Sequence, residues 1–201
     1  MSPTDPLSTE PIDAEPIRTR RLVLRQWREG DRQPFAELNA DPAVMEHFPA
    51  PMSRAESDAF VDRISEHFAA RGFGLWAVET TEAGSFIGFV GLTVPRFDAH
   101  FTPAVEVGWR LARSAWGHGY ATEAANAAVV YGFQRLSLDE IVSFTSVHNI
   151  ASQAVMRRIG MTHDPADDFE HPNLPEGHRL RRHVLWRLRA DGYRTGSRDG
   201  H

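Results

Sequence analysis

LARSAWGHGYATE, residues 111–123, is the stretch of this 201-residue chain that most restricts the choice of fold. An apolar segment with alternating residues ends at the start of this stretch, and the alanine-rich segment 122–136 follows it. The pattern therefore predicts a strand, a glycine turn and a helix. Gly117 and Gly119 would let the backbone approach a ligand closely, and the unpaired amides at the start of the helix favour an anion such as phosphate. The stretch has neither the Gly-Lys-Ser/Thr of a Walker A loop nor a G-x-G-x-x-G motif. Spacing alone leaves two interpretations open, a phosphate-binding turn and an ordinary turn.

Strands and helices alternate on both sides of this stretch. Ser53 and Glu56 have the spacing of a capping box, apolar residues recur every four positions behind them, and Gly72 would end that helix. Residues 81–84 separate two apolar runs and predict a hairpin. The same criteria predict strands at 20–27, 75–80, 85–94, 104–112, 140–147 and 181–189, and further helices at 31–39 (capped by Asp31), 122–136 and 150–159. The predicted architecture is a sheet of mixed direction with helices between its later strands, either α/β or α+β.

Composition excludes several classes of protein. The 22.6 kDa chain has no cysteine, which excludes disulfides, thiolate metal sites and a cysteine nucleophile. No apolar run approaches the roughly 18 residues of a membrane span and no signal peptide is visible, so a cytoplasmic protein is expected. The acidic residues of segment 1–16 account for four of the five net negative charges, and the nearly neutral remainder offers no basic face to nucleic acid.

The chain divides into three parts by composition. Residues 1–16 carry four prolines among small polar and acidic residues, which predicts a disordered acidic leader. Residues 17–190 form one domain, and residues 191–201 lack apolar periodicity, which predicts a flexible tail.

Residues 169–177 form a long loop before the last strand that could border a binding cleft. The acidic side chains in and before that loop, together with His171, lack the spacing of metal ligands, so no metal is expected.

A second informative stretch is NIASQAVMRRIGM, residues 149–161. It follows a predicted strand, and Asn149 and Ser152 stand at the start of a short helix that Gly160 would end. An Asn/Ser cap with a glycine stop is common, so these residues alone do not require a ligand.

The combined order of strand, G-x-G turn, helix, strand and Asn-x-x-Ser helix resembles the GNAT superfamily of acyl-CoA-dependent N-acetyltransferases. Segments 17–25 (IRTRRLVLR), 116–124 (WGHGYATEA) and 149–161 are similar to its branch of ribosomal-protein Nα-acetyltransferases (RimJ/RimL-like). The resemblance spans residues 17–190. It implies acetyl-CoA as the donor and a GNAT fold, which is a mixed, mostly antiparallel twisted sheet of about seven strands, with flanking helices and with strands four and five splayed apart.

The resemblance also implies roles for individual residues. The acetyl thioester would lie between the splayed strands, and Leu111, at the end of the fourth strand, would pair with the pantetheine arm. Asn149 would hydrogen-bond the pantetheine, and Ser152 would lie near the sulfur. Arg157 and Arg158 could reach the adenosine phosphates or form a solvated helix face. The pyrophosphate would bind the backbone of Trp116, Gly117, His118, Gly119, Tyr120, Ala121 and Thr122.

Two positions depart from the superfamily's pattern. Ser114 stands three residues before the first glycine, where Arg or Gln is usual, so one side-chain contact to phosphate would be missing. Met156 stands where many relatives have a tyrosine that protonates the departing thiolate, and in the RimJ/RimL-like branch a serine, here Ser152, takes that role.

Glu106 is the candidate general base. It lies on the fourth strand, opposite the face that carries Val and Trp, and Asp164 is the alternative.

The implied reaction is transfer of an acetyl group to a primary amine by direct attack in a ternary complex. An N-terminal α-amine with a pKa near 8 is neutral in roughly a tenth of molecules at pH 7, and a lysine amine near 10.4 in about four in ten thousand. Without a strong general-base cluster, this favours a protein N-terminus or another weakly basic amine, with small amines and longer acyl donors left open.

A non-catalytic acyl-CoA-binding or sensing module is the alternative from a different class of protein. It would keep the backbone cradle for the cofactor without an acid or a base. Neither nucleic acid nor a membrane is an expected partner, and an exposed strand edge would permit a homodimer.

Overall fold

The computed structural model describes residues 15–196, with side chains up to residue 193. Apart from residues 15 and 16, the predicted leader lies outside the described residues, as does the end of the chain from residue 197. No helix among the described residues is long and apolar enough to cross a membrane.

A single sheet organises the domain. Its strand order is β1-β2-β3-β4-β5-β6-β9-β7, and β8 also pairs with β9. Every pairing is antiparallel except that of β5 with β6, which is parallel. The strands are β1 (Ile17–Arg18), β2 (Leu22–Arg25), β3 (Leu75–Thr80), β4 (Phe86–Thr93), β5 (Glu106–Leu111), β6 (Glu140–Ser146), β7 (Thr162–His163), β8 (Phe169–Glu170) and β9 (Arg182–Arg189). The predicted mixed, mostly antiparallel sheet is confirmed. It has nine strands among residues 15–196 in place of about seven, because two-residue strands leave no apolar alternation.

In the described part of the chain, five α-helices flank this sheet: α1 (Arg32–Ala40), α2 (Arg54–Arg71), α3 (Tyr120–Arg135), α4 (Ile150–Arg158) and α5 (Ala190–Gly196). The predicted capping box starts α2, where the Ser53 side chain accepts from the Glu56 amide and the Glu56 carboxylate accepts from the Ser53 amide. Gly72 ends that helix at a φ of 74°. Local sequence signals therefore set both ends of α2.

Asp31 precedes α1, but the prediction that its side chain caps the helix is wrong. Its carboxylate accepts from the Arg25 guanidinium at 2.7 and 2.9 Å and from the Arg28 amide at 2.8 Å. Because Arg25 is buried, the carboxylate gains more by pairing with this charge than by binding amides of α1.

The predicted flexible tail begins with a helix. Residues 190–196 form α5, and the Tyr193 ring packs at 5.4 Å from the Phe133 ring of α3. The segment has too little apolar periodicity for this helix to be predicted from sequence. Its packing partner, Phe133, belongs to another helix. Residues 169–177 likewise include β8 at their start and are not wholly a loop.

The two faces of β5 meet different helices. Arg110 donates to Asn39 Oδ1 of α1 and lies 5.6 Å from the Phe60 ring of α2. Trp109, on the opposite face, donates from Nε1 to Ser152 Oγ of α4 at 3.3 Å. Since side chains alternate along a strand, Glu106 shares the α1–α2 face with Arg110.

Strands β5 and β6 separate soon after they meet. The Val142 amide donates to the Val105 carbonyl at 2.9 Å, and Ser143 Oγ donates to the Val107 carbonyl at 2.8 Å. Among the described residues, the one register pair between β5 and β6 is Glu106 with Val142. The splay predicted between the fourth and fifth long strands is therefore present, and the backbone groups of Trp109 and Leu111 face an opening where β6 would otherwise continue the sheet.

Gly91 and Gly108 are register partners on β4 and β5, but their surroundings differ. A Cβ on Gly91 would clash with the Gly74 carbonyl oxygen and lie 2.7 Å from Leu75 Cα, both backbone atoms of the adjoining strand region. A Cβ on Gly108 would meet nothing closer than Glu106 Oε1 at 3.7 Å.

We predict that Gly91→Ala lowers the free energy of unfolding by more than about 2 kcal/mol, because the backbone must move to admit a methyl group. Gly108→Ala is the matched control and should change it by less than about 1 kcal/mol. Urea unfolding of both variants measures the difference. Equal stabilities would show that the contact at Gly91 does not constrain the sheet.

Candidate active site

A cavity of about 1320 Å³ lies at the opening between β5 and β6. It extends from the glycine turn before α3 to the loops beyond α1 and β4. Ten of the eleven residues singled out from the sequence as binding or catalytic line it, namely Glu106, Leu111, Trp116, Gly117, Gly119, Tyr120, Ala121, Thr122, Asn149 and Ser152. His118 is the exception. It is exposed, is not part of the cavity wall and stacks on the Tyr120 ring at 5.4 Å.

The glycine turn presents unpaired amides to one end of the cavity. Gly117 and Gly119 both have a φ of 78°, a left-handed conformation that favours glycine. Gly119 is the N-cap of α3 and brings no side chain to its amides, and the first helical bond runs from the Glu123 amide to the Gly119 carbonyl. The amides of Tyr120, Ala121 and Thr122 therefore have no acceptor within the helix and can bind an anion.

An arginine side chain that was not predicted from the sequence lies beside this turn. The Arg21 guanidinium lies 4.8 Å from the Tyr120 ring centroid, and its Nη2 atom is 3.6 Å from the position of a Cβ on Gly119. It is paired with Glu123 at 2.7 Å. Arg21 precedes β2, about a hundred residues earlier in the chain, so no local motif connects it with the turn. Ser114, where the superfamily usually has Arg or Gln, is exposed and outside the cavity wall.

Glu123 lies in the first turn of α3, where its charge would oppose a bound anion. Desolvation acts to raise its pKa, but hydrogen bonds from Thr19, from the Arg21 amide and from the Arg21 guanidinium outweigh it, so the pKa lies below its ordinary value. The carboxylate is therefore ionised and neutralised by Arg21. This pairing connects the N-terminal strand to the start of α3.

The edge of β5 is partly occupied. Trp116 Nε1 donates to the Leu111 carbonyl at 2.9 Å, although nearly half of the Trp116 surface is exposed. A ligand that pairs along this edge has the Leu111 amide and the backbone groups of Trp109 available. The Leu111 carbonyl becomes available only if the indole turns away.

Asn149 acts first as a helix cap. Its Oδ1 accepts from the Ser152 amide at 3.1 Å, and its Nδ2 donates to Thr145 Oγ1 at 3.0 Å. These bonds use one lone pair and one proton of the side-chain amide, and leave one of each. The predicted contact with pantetheine remains compatible with this role.

Ser152 has a free hydroxyl proton in this arrangement. Its Oγ accepts from Trp109 Nε1, and no acceptor for its proton is found among the described residues. A hydroxyl carries one donor and two acceptor sites, so Ser152 can donate into the cavity while the indole fixes its position.

Glu106 is a half-buried acid without a partner among the described residues. It lies beside the opening, between Thr93 on β4 and Val142 on β6. Desolvation by the surrounding protein raises the pKa of its carboxyl to about 8. Such a group can take up a proton near neutral pH, which is the property of a general base.

The far end of the cavity is aromatic. Phe97 and Phe144 lie 5.6 Å apart, and His171 contacts both rings and also His183 at 4.9 Å. Burial lowers the pKa of His171, and it lowers that of His183 to about 4, so the buried imidazole of His183 is neutral at pH 7. This end of the cavity therefore presents aromatic rings and a neutral imidazole.

The other residues considered from the sequence fall into two groups, those that line the cavity and those that lie outside it. Arg158 lines the cavity, while Arg157 is exposed and lies 5.6 Å from the Trp186 ring. Met156 is buried in the core and borders the cavity. Asp164 is exposed, is not part of the cavity wall, and accepts from the Ala166 amide at 2.9 Å as the cap of a short 3-10 turn.

Comparisons with known proteins bear on the family and the fold of this chain. Residues 21–162 match the family model described as an acetyltransferase (GNAT) domain. An Aspergillus fumigatus protein, FsC-acetyl coenzyme A-N(2)-transacetylase, is 34% identical over 160 residues, which are 76% of this chain and 67% of that protein.

Two solved structures show the same fold. The acetyltransferase from Agrobacterium tumefaciens has a TM-score of 0.71 and 28% identity, covering 88% of this chain and 95% of its own. RimL, a ribosomal L7/L12 alpha-N-protein acetyltransferase in complex with coenzyme A, also has a TM-score of 0.71, at 19% identity, over 89% of this chain and 99% of its own.

We predict that Glu106→Gln stabilises the ligand-free protein in a pH-dependent way. The carboxyl ionises near 4.5 in the unfolded chain and near 8 in the folded one, so folding favours its protonated form. The stability that it contributes is complete below pH 4.5 and is lost as pH rises through 8. Glutamine cannot ionise, so the advantage of the variant should be near zero at pH 4.5 and grow up to about pH 8.

Urea unfolding at a series of pH values measures this difference. Glu82→Gln, in the exposed turn between β3 and β4, controls for the loss of one carboxylate. A Glu106→Gln variant that parallels the wild type at every pH would contradict a desolvated Glu106.

Proposed function

Because this chain belongs to the GNAT acetyltransferase family, its general activity is acetyl-CoA-dependent N-acetylation, and we propose that its acceptor is a weakly basic primary amine of the α-amine type. The observation that carries the proposal is the pair of Glu106 and Ser152, on the two sides of β5 at the opening to β6. The α1–α2 face of the opening would receive the amine, and the α4 face would hold the sulfur.

The residues present fit acetyl-CoA, which supplies an acetyl thioester. The amides from residue 117 to residue 122, with Arg21, fit the pyrophosphate, whereas the Trp116 amide already donates to the Arg113 carbonyl at 3.1 Å. The open edge of β5 fits the amide-containing pantetheine arm, which can pair as a strand does. The cavity connects these two regions without a break.

Glu106 would remove the proton that the amine must lose. With a pKa of about 8, roughly a tenth of this carboxyl is ionised at pH 7, and the ionised fraction rises with pH. As the carbon–nitrogen bond forms and the carbon–sulfur bond breaks, the nitrogen proton passes to Glu106, directly or through a water molecule. An α-amine with a pKa near 8 starts with an appreciable neutral fraction and so suits a base of this strength.

Ser152 would stabilise the departing thiolate. Its hydroxyl, positioned by Trp109, can donate toward the sulfur, which finishes the reaction as a neutral thiol after gaining a proton. A thiol has a pKa near 8.5, so it needs little acid assistance and a serine in place of a tyrosine is sufficient. The β5 amides that face the opening would polarise the thioester carbonyl.

The name of one relative supports a nitrogen atom as the acceptor. The 34% identical Aspergillus fumigatus protein is named for transfer of the acetyl group to an N(2) nitrogen. Direct attack on the thioester also agrees with a chain that has no cysteine to form an acyl-enzyme.

We predict that Ser152→Ala and Glu106→Gln each reduce kcat by about tenfold or more and leave the affinity for CoA unchanged, because general acid–base groups act on the reacting atoms. Thiol release gives the rate, and calorimetry with CoA gives the affinity. Asp164→Asn, outside the cavity, is the control. A non-catalytic acyl-CoA-binding module would instead bind CoA, and neither substitution would change any activity.

We predict that Arg21→Gln weakens CoA binding about tenfold, the cost expected for one charge-assisted hydrogen bond to phosphate. Arg157→Gln removes an exposed arginine outside the cavity and should have no effect. Calorimetry with CoA compares the two. Equal dissociation constants for these variants would rule out Arg21 as a phosphate ligand.

A further inference from the structure

The domain has two buried arginines among its described residues, Arg25 and Arg110, and their partners differ. Arg25 binds Asp31 through two nitrogens and Glu79 through Nε at 2.6 Å. Arg110 is 7% exposed, and none of the described carboxylates lies within ion-pair distance of it. One buried cation is therefore neutralised inside the fold and the other is not.

Arg110 is held in place by neutral groups. Its Nη1 donates to Asn39 Oδ1 at 2.6 Å, and its guanidinium lies 4.0 Å from the Phe48 ring centroid. Asn39 is fully buried and is fixed in turn by a bond from its Nδ2 to Ser57 Oγ at 2.9 Å. The Nε atom of Arg110 is buried without a hydrogen-bond partner. The side chain is thus fixed in position by an amide and an aromatic ring, its charge has no carboxylate partner among the described residues, and its Nε proton is unused.

Leaving a charge in this state is costly. Desolvation lowers the pKa of Arg110 to about 10, so the guanidinium still carries its charge at pH 7. A buried charge without a counterion destabilises a fold. Because Arg110 lines the cavity, an anionic group on a bound molecule could recover that cost.

Glu106, Gly108 and Arg110 form one row on the α1–α2 face of β5. The Cα atoms of Glu106 and Arg110 are about 13 Å apart along an extended strand, and both side chains are long enough to approach each other. Gly108, between them, adds no side chain, and a Cβ there would meet nothing closer than 3.7 Å. The row therefore has a proton-accepting carboxyl at one end, Glu106, and a cation at the other, Arg110. The position between them, Gly108, has no side chain and leaves space for a ligand.

We propose that the acceptor amine carries a carboxylate and that Arg110 binds it. This inference rests on the proposed function, since it names a second group on the same acceptor. A single guanidinium with free nitrogens matches the single charge and planar oxygens of a carboxylate. The carboxylate could be that of a free amino acid or an acidic side chain near a peptide N-terminus.

Matched acceptor pairs test the proposal without any substitution. Phenylalanine is compared with phenylalaninamide, and a peptide amide that begins Ala-Asp with one that begins Ala-Asn. Acetyl transfer is followed by thiol release, and binding by the shift in Tm in the presence of CoA. We expect the acid of at least one pair to be favoured about tenfold or more in kcat/KM. The amine of phenylalaninamide is the weaker base, so a preference for phenylalanine cannot come from its neutral fraction.

Arg110→Met should remove this preference, and Arg63→Met, an exposed arginine on the cavity wall, should retain it. Asn39→Asp is a second variant, which keeps the proposal testable if Arg110→Met fails to fold. It places a carboxylate where Arg110 now contacts Asn39 Oδ1, so Arg110 gains a counterion inside the fold. The variant should therefore raise Tm and abolish the preference for the acid. A purely structural Arg110 would tolerate Asn39→Asp with no change in selectivity.

The outcomes separate the two proposals. A preference for the free amino acid identifies a small-molecule acceptor, and a preference for the Ala-Asp peptide identifies an N-terminal one. Acids that bind better than amides without being acetylated would support Arg110 and refute the acceptor chemistry of the proposed function. Acids and amides that are equal in both rate and binding would overturn the role of Arg110, whatever the activity.

Discussion

The structure depends on the separation of β5 from β6. Two neighbouring parallel strands in a sheet normally bond along their whole length, and here they pair at Glu106 and Val142 and then diverge. The divergence leaves backbone donors and acceptors of β5 unpaired and opens a passage through the sheet. One end of that passage reaches the amides before α3, and the other reaches the α1–α2 face. A ligand that needs an amide-lined edge and an anion site in one line can bind here.

The charges of the site follow from this opening. At the outer end, anion-binding amides are assisted by Arg21, and Glu123 is neutralised by the same side chain. Toward the α1–α2 face, Glu106 and Arg110 are desolvated and lack charged partners among the described residues. The buried pair of Arg25 and Asp31, by contrast, is satisfied internally and serves the fold. Unpaired charge is therefore concentrated where a substrate would supply the missing partner.

Local sequence signals predicted the framework and the cofactor end of the site. The G-x-G turn, the Ser53–Glu56 capping box and the alternation along β5 each act within a few residues, and the predicted membership of the GNAT superfamily is confirmed. Contacts between distant segments could not be predicted in this way. Arg21 meets Glu123 across 102 positions and Arg110 meets Asn39 across 71. Strand parity placed Glu106 opposite the Val/Trp face, but its desolvation depends on elements that pack against it from elsewhere in the chain. The short strands and α5 were missed because tertiary contacts, not periodicity, stabilise them.

The most direct test of the account is a thiol-release assay with acetyl-CoA against a panel of amines. The panel contains amino acids, short peptides with free N-termini, N-blocked lysine peptides, polyamines and aminoglycosides. A Glu106 base near pKa 8 in a cleft that ends in aromatic rings predicts turnover of free α-amines in preference to lysine ε-amines and polyamines. Turnover confined to N-blocked lysine peptides or polyamines would contradict the proposed acceptor, and failure to bind acetyl-CoA would contradict the role given to the opening between β5 and β6.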